Sequence, residues 1–295
     1  MMERDQDLTC AIMITTHNRI EDLKHTISKI QQLSPPPDEI LITADGCNDG
    51  THEWVSSNLP DAILVTNDPG IGSVGSRDRM LKSTRCSLVL SLDDDSYPVE
   101  SNALSKLKEF FAVNPETAIA SLPQKTDEYP ETQGIEDFGN IQPVASYSSC
   151  AVCLRRESYD STHGYPHFFF HAYEEPDYTL QCISNGWKAL WYPGVVIRHH
   201  YSSVGRNELA IHHRHARNES LSMLMRSPTS LVVFIMIGKA ASQARYAASR
   251  GLAWLIKEPI WWIEALRLYP RAMANRKPVS WRSFRMWLRY LKTTP

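Results

Sequence analysis

Leu88-Val89-Leu90-Ser91-Leu92-Asp93-Asp94-Asp95-Ser96-Tyr97-Pro98 is the stretch that most restricts what this chain can fold into. Its apolar run reads as a buried strand, and three carboxylates follow at the carboxyl end, where open α/β sheets place their ligands. Carboxylate oxygens are hard donors suited to Mg²⁺ or Mn²⁺ that also touches phosphate oxygens. Alternation along an extended chain sends Asp93 and Asp95 to one side and Asp94 to the other, which makes Asp93 and Asp95 the candidate metal pair. The competing reading is a solvated acidic turn that caps the helix after Pro98.

Upstream, the chain alternates strand and helix. Cys10 to Ile14 reads as a strand that ends in Thr15-Thr16-His17-Asn18-Arg19, followed by Ile20, Leu23, Ile27 and Ile30 at helical spacing. After the break at Pro35-Pro36-Pro37, Glu39 to Thr43 forms a second strand that ends in Ala44-Asp45-Gly46. Ala62 to Val65 is a third, leading into the glycine-rich stretch Asn67 to Asp78, where glycines allow close approach to a phosphate and Arg77 supplies charge. The acidic strand is thus the fourth, with a helix at 99–113 and a strand at 118–122 behind it. Such alternation predicts a mainly parallel sheet with right-handed crossovers, and brings Asp45, Arg77 and Asp93 to Asp95 to one edge. No Gly-x-Gly-x-x-Gly follows the first strand, which disfavours a dinucleotide-binding dehydrogenase.

Residues 123–143 read as a mobile polar loop and 147–154 as a returning strand. Glu174, Glu175 and Asp177 open a helix that Asn185-Gly186 stops. Acids in a first turn complement the helix dipole, and the functional alternative is a general base that accepts a hydroxyl proton. Short strands at 188–191 and 194–197 precede Arg198-His199-His200, where a neutral imidazole near carboxylates is a credible further metal ligand.

Formal net charge is −2, but from Arg271 onward there are seven Lys or Arg and no acid, which leaves −9 on the rest. A basic end on an acidic body suits an anionic surface or a solvated helix. Cys150 and Cys153 share a Cys-x-x-Cys spacing without a second pair, and read as core residues in a reducing compartment. Charged Arg4, Asp5 and Asp7 precede the first apolar run, and no apolar run approaches the ~18 residues needed to span a bilayer. A cytoplasmic protein is expected, with peripheral attachment at the inner face of the plasma membrane as an option. His212, His213 and His215 offer a zinc site, an exposed polar helix face or an active-site flap. Leu252 to Ile263 and Trp281 to Leu288 mix aromatic and apolar residues with cations at helical spacing, which suits helices in a lipid interface or packed on the domain before them.

In order and spacing, this set resembles the family 2 glycosyltransferases of GT-A fold, from about Leu8 to Ser202, with a rhamnosyltransferase-like echo at Arg217-Asn218. Thr15 to Arg19 is similar to the family's Pro-Thr-Tyr-Asn-Arg start, Ala44-Asp45-Gly46 to its Asp-Asp-Gly element, and Leu92 to Asp95 to its Asp-x-Asp motif. Glu174-Glu175-Pro176-Asp177 resembles its Glu-Asp-x-Asp signature. The resemblance implies a Rossmann-like α/β catalytic domain over 1–225, with a C-terminal helical extension over 226–295. It implies transfer of a sugar from a UDP- or dTDP-type donor to a saccharide or lipid-linked acceptor, in cell-surface polysaccharide or glycolipid synthesis, with Mg²⁺ or Mn²⁺ and no nucleic acid. Thr16, Asn18, Arg19, Asp45, Gly72, Arg77, Asp93 and Asp94 would contact the nucleotide sugar. Asp93, Asp95 and His199 would hold the metal, with His200 as the alternative register. Glu175 would be the base of an inverting displacement, with Asp177 as the second candidate. Rival readings are a polyprenyl-phosphate sugar synthase, a nucleotidyltransferase, whose glycine- and lysine-containing loop is missing after the first strand, and a non-catalytic binder.

Overall fold

The computed structural model describes residues 8–200 and 207–292. Arg4, Asp5 and Asp7, and Tyr201 and Ser202 at the end of the expected match, lie outside them. The first half alternates as the sequence predicts: β1 (Cys10–Thr16), α1 (Ile20–Ile30), β2 (Glu39–Asp45), α2 (Thr51–Asn58), β3 (Ile63–Asn67), α3 (Gly72–Ser83) and β4 (Leu88–Asp93). Next come β5 (Ser96–Pro98), α4 (Ala103–Val113), β6 (Thr117–Ser121), β7 (Gln124–Thr126), β8 (Gln142–Pro143) and β9 (Val152–Arg155). Then follow α5 (Arg156–Asp160), α6 (Glu174–Ser184), β10 (Lys188–Trp191) and β11 (Ile197–His199). Helices α7 (Glu208–Arg226), α8 (Val232–Arg250), α9 (Leu252–Lys257), α10 (Pro259–Ala274) and α11 (Trp281–Tyr290) complete the described chain.

The main sheet has the order β3-β2-β1-β4-β9-β6-β10-β8. Helices cover both of its faces, so central strands are apolar throughout. Along β1, Ala11 and Met13 enter one core while Cys10, Ile12 and Ile14 enter the other, and along β4 Val89 faces away from Leu88, Leu90 and Leu92. From β3 to β4 all pairings are parallel, whereas β9 lies antiparallel between β4 and β6. The sheet is thus mainly parallel, as expected, since β10 again pairs parallel to β6, and β9 and the edge strand β8 are its antiparallel members. Between β6 and β9 no crossover helix carries the chain to the opposite edge, so β9 runs back from the edge where β6 ended.

A second sheet, β5-β11-β7, sits at the carboxyl edge. Its register sets His199 opposite Ser96, and so carries a histidine from late in the chain to the acidic stretch. The strand expected over 147–154 starts only at Val152. Ahead of it, the Ser149 and Cys150 carbonyls accept hydrogen bonds from Ser91 Oγ (2.6 Å) and Ser96 Oγ (3.1 Å), which replace ladder pairing and hold this segment over the end of β4.

The C-terminal helices pack on the domain before them to different extents. Helix α11 packs on α6: Phe284 and Trp287 are buried, and Trp287 Nε1 donates to the Ala145 carbonyl at 2.9 Å. Helix α10 packs on α7 yet leaves Trp262, Ile263 and Leu266 exposed. His212 is buried at 2.6 Å from Glu258, so it serves packing between helices and joins no zinc site among the described residues. No described helix is long and apolar enough to cross a membrane.

Candidate active site

Parallel strands release their loops at one edge, and there the sheet gathers Thr16, Asp45, Gly72 and Asp93. The acids after β4 are held by internal cations. Arg19, from the loop after β1, reaches Asp94 Oδ1 at 2.9 Å and Asp95 Oδ2 at 2.6 Å. Arg77, buried on α3, bridges Asp93 Oδ1 (2.5 Å) and Glu174 Oε1 (3.0 Å), so its guanidinium sets the distance between the fourth strand and α6. Asp95 Oδ1 is buried 3.3 Å from His199 Nε2 and makes no well-aligned hydrogen bond. Burial opposes ionisation at both Asp95 and His199. Their mutual attraction outweighs it, pulling the carboxyl below its ordinary range and lifting the imidazole to about 10.

Other expected nucleotide contacts have structural duties as well. The Asp45 carboxylate accepts from the backbone N–H groups of Ile71 and Gly72 (both 2.8 Å) and from Asn67 Nδ2 (2.9 Å). It therefore fixes the start of α3. Asn18, at φ 53°, accepts from the Asn48 backbone N–H at 2.7 Å and ties the first two loops together. Gly72 has φ 85°, and a Cβ there would lie 2.2 Å from the Phe170 carbonyl oxygen. The close approach this glycine permits is to the segment before α6.

That segment is unusual. Phe170, Ala172 and Tyr173 all have positive φ, a conformation that persists only where surroundings over-determine it. Asn218 Nδ2 on α7 supplies that restraint through the carbonyls of Phe169 (3.1 Å), His171 (2.8 Å) and Ala172 (2.8 Å), with Arg217 Nη2 also donating to Phe169 at 2.9 Å. The clamp presents the first turn of α6. Glu175 faces a cavity and accepts from Ser149 Oγ at 2.9 Å, and the same oxygen lies 3.3 Å from Glu174 Oε1. Burial, then the neighbouring Glu174, push the Glu175 carboxyl above its ordinary range. Asp177 points the other way: it is fully buried and accepts from Arg226 Nε and Nη2 (both 3.1 Å), Ser222 Oγ (2.7 Å) and Gln181 Nε2 (2.8 Å). The second candidate base thus braces α6 against α7 and is closed to a substrate.

The cavity, of about 380 Å³, is lined by Arg77, Asp93, Ser149, Cys150, His171, Glu175, His199 and His215, among others. Ligand atoms of Asp93, Cys150 and His199 lie within 4.8 Å of one another, and this is the compact metal-capable group among the described residues. Asp95 stands outside it. His199 faces this group, whereas His200 lies 2.8 Å from the Tyr97 hydroxyl and 3.4 Å from Asp127.

A profile of glycosyl transferase family 2 matches residues 11–183, a span that runs from β1 to the end of α6 and includes Asp45, Asp93 to Asp95, Glu174, Glu175 and Asp177. The chain belongs to this family. The family 2 chain is accordingly a glycosyltransferase, and its mixed sheet with flanking helices is the GT-A fold. It is similar to a mannosyltransferase from Pyrobaculum calidifontis in complex with GDP-mannose and Mn²⁺, at 15% identity and TM-score 0.59, over 98% of this chain and 87% of that one. It is also similar to residues 1–349 of TarS from S. aureus, at 15% identity and TM-score 0.64, over 90% and 81%. A third likeness is to GalNAc-T7 with UDP, GalNAc and Mn²⁺, at 12% identity and TM-score 0.61, over 76% and 49%. No curated protein gives a significant sequence match.

Three residues that line the cavity have no site role in the sequence reading. Cys150 read as core, and it is buried, but its thiol lies 3.8 Å from His199 Nδ1. Ser149 is one serine in a polar stretch and carries no pattern. Glu174, the first acid of the Glu174-Glu175-Pro176-Asp177 signature, has no role of its own in the sequence reading and pairs with Arg77.

Proposed function

We propose that this glycosyltransferase moves a sugar from a nucleoside-diphosphate donor to an acceptor hydroxyl by one inverting displacement, with Glu175 as the base. The observation that carries this reading is Glu175 on the cavity wall, with proton affinity raised by burial, beside the acidic end of β4. A carboxylate of that kind takes a proton near neutral pH better than an ordinary one. Ser149 donates to Glu175 Oε1 and so orients the carboxylate while its other oxygen stays available to the incoming hydroxyl. Arg77 stands behind Asp93 and Glu174 and offsets charge that builds when the diphosphate departs.

Asp93 and His199 fit a divalent cation, with Cys150 as a third donor and Asp95 Oδ1, 3.3 Å from His199 Nε2, supporting the imidazole. Such a cation would supply Lewis-acid neutralisation of the leaving diphosphate. A thiol among the donors favours Mn²⁺ over Mg²⁺, because Mg²⁺ prefers oxygen and water. Two neighbours whose structures contain Mn²⁺ with a nucleotide or nucleotide sugar support this choice. The acceptor is a saccharide or lipid-linked hydroxyl in cell-surface polysaccharide or glycolipid synthesis, a reading that rests on the family.

The test is a panel of UDP-, dTDP- and GDP-sugars with Mn²⁺, read by release of nucleoside diphosphate, with an EDTA control. Hydrolysis of one donor class that EDTA abolishes is expected. Failure of every donor, with metal bound normally, refutes the proposal.

A further inference from the structure

Large apolar side chains are exposed where the family match is long past. On α8 to α10, Phe234 (73%), Ile237 (64%), Leu252 (71%), Ile256 (68%), Trp262 (42%) and Leu266 (71%) are open to solvent. Ile237 of α8 meets Trp262, Leu266 and Tyr269 of α10 across one groove of about 390 Å³ floored by Leu221 and Leu224 of α7. A contiguous apolar surface of this kind marks a protein or membrane contact.

Charge selects the occupant. From Ser227 to Pro295 the chain has twelve Lys or Arg and two acids, Glu258 and Glu264. Glu258 is buried against His212 and Trp261, and the half-exposed Glu264 is neutralised by Arg217 at 3.0 Å, so both acids are already paired. Arg245, Lys257, Arg267 and Arg271 are exposed. A second copy laid on this face would set cations against cations. An anionic bilayer supplies an apolar boundary and negative headgroups together.

We propose that α8, α9 and α10 seat this protein on the surface of an anionic lipid bilayer, with the groove's apolar rim in the acyl boundary and the exposed Lys and Arg among the headgroups. No span is needed, in keeping with the absence of a membrane-crossing helix among the described residues. Helix α7 links this surface to chemistry: His215 lines the catalytic cavity and Leu221 the groove. Six residues at 1.5 Å rise place them ~9 Å apart along the axis, a short path for an acceptor presented at the bilayer. That last consequence rests on the transferase reading; the docking itself does not.

The test is sedimentation of the full chain with phosphatidylcholine vesicles, with and without phosphatidylglycerol. Pelleting with anionic vesicles only, weakening as salt rises, is expected. Arg267→Gln with Arg271→Gln should lower partition about 25-fold, from about fivefold per cation. Phe234→Ser with Leu266→Ser should lower it at least about tenfold at fixed salt, and thermal melting confirms that both pairs remain folded. No pelleting, equal pelleting with neutral vesicles, or pelleting that neither pair alters overturns the proposal. So does a stable dimer that Leu266→Ser dissociates, which would assign the groove to a second copy. Donor hydrolysis without vesicles tests the transferase reading separately.

Discussion

Asp177→Asn separates a structural carboxylate from a chemical one. Asp177 and Arg226 are 0% and 2% exposed, and the guanidinium meets both carboxylate oxygens at 3.1 Å. Asparagine keeps the shape but removes the charge, so Arg226 is left as a buried cation whose partner is now a neutral amide. Breaking a buried pair in this way costs about 3–5 kcal/mol. Removing Arg226 in the same chain, as Asp177→Asn with Arg226→Met, should recover most of that loss, because no lone charge then stays buried. For a chain of this size about 1 kcal/mol moves the melting temperature by about 2 °C, so the single variant should melt ~6–10 °C early and the double variant within a few degrees of the parent. The assay is thermal unfolding by circular dichroism, with turnover measured per folded molecule well below the transition. Turnover of Asp177→Asn within about threefold of the parent is expected from a residue closed to the cavity. Loss of turnover by a hundredfold or more at unchanged melting temperature would refute the assignment and make Asp177 the base.

Glu175→Gln should lower kcat by about 10²–10⁴-fold while donor binding, measured calorimetrically with metal present, stays within a few-fold; near-normal kcat removes Glu175 from the chemistry. Because the Glu175 carboxyl is raised, activity should climb with pH along a limb above the ordinary carboxylate range, and a limb near pH 4 would contradict the burial argument. The native state also keeps a proton here that the unfolded chain has released. Stability from this group therefore falls as pH rises from the unfolded carboxylate value of about 4.3, and Glu175→Gln should flatten that slope in urea titrations. EDTA should abolish turnover and Mn²⁺ restore it, and Cys150→Ser should narrow the preference for Mn²⁺ over Mg²⁺; an unchanged preference would take the thiol out of the donor set. Asn218→Ala, which releases the carbonyls of Phe169, His171 and Ala172, should cost about 1–3 kcal/mol and lower kcat with little change in donor affinity, and an unaltered kcat would show that the α6 segment holds without its clamp.

Local patterns were legible in the sequence, and facings set by distant elements were not. The strands β1, β2 and β4 could be read because burial on both faces demands continuous apolar runs, and the acids of β4 stand out against theirs. Glu175 and Asp177 are both first-turn acids, and nothing local says which one meets substrate. Two positions apart on a helix they point in different directions, and the outcome is fixed by α7, whose Arg226 arrives 49 residues later and claims Asp177. His199 and His200 pose the same problem on a strand, where adjacent side chains oppose each other; the register of β11 against β5 turns His199 inward. Cys150 could not be separated from a core cysteine, since both are buried and only the second sheet brings an imidazole beside it. The arginines of the extension were visible as composition, but the pairing of Glu258 with His212 and of Glu264 with Arg217 required tertiary contacts.

The balance of charge at the site bears on how a donor can enter it. Asp93, Asp95 and Glu174 face Arg19, Arg77 and His199, while burial pushes the Asp94 and Glu175 carboxyls above their ordinary range and opposes their ionisation. Both arginines are already engaged: Arg19 with two carboxylates of the acidic stretch, and Arg77 with one on β4 and one on α6. The site therefore holds little surplus positive charge for a substrate that is itself a dianion, and in a partly buried site an unmatched charge is far less screened than at a surface. A diphosphate can bind there only if its arrival brings positive charge or redirects an arginine. Arg77 is poorly placed for the second course, because its release would leave Glu174 buried and unpaired. Entry of the donor together with a divalent cation meets the same requirement and leaves the Asp93–Arg77–Glu174 bridge in place. On this argument donor affinity should depend steeply on metal concentration, while metal affinity without donor stays weak.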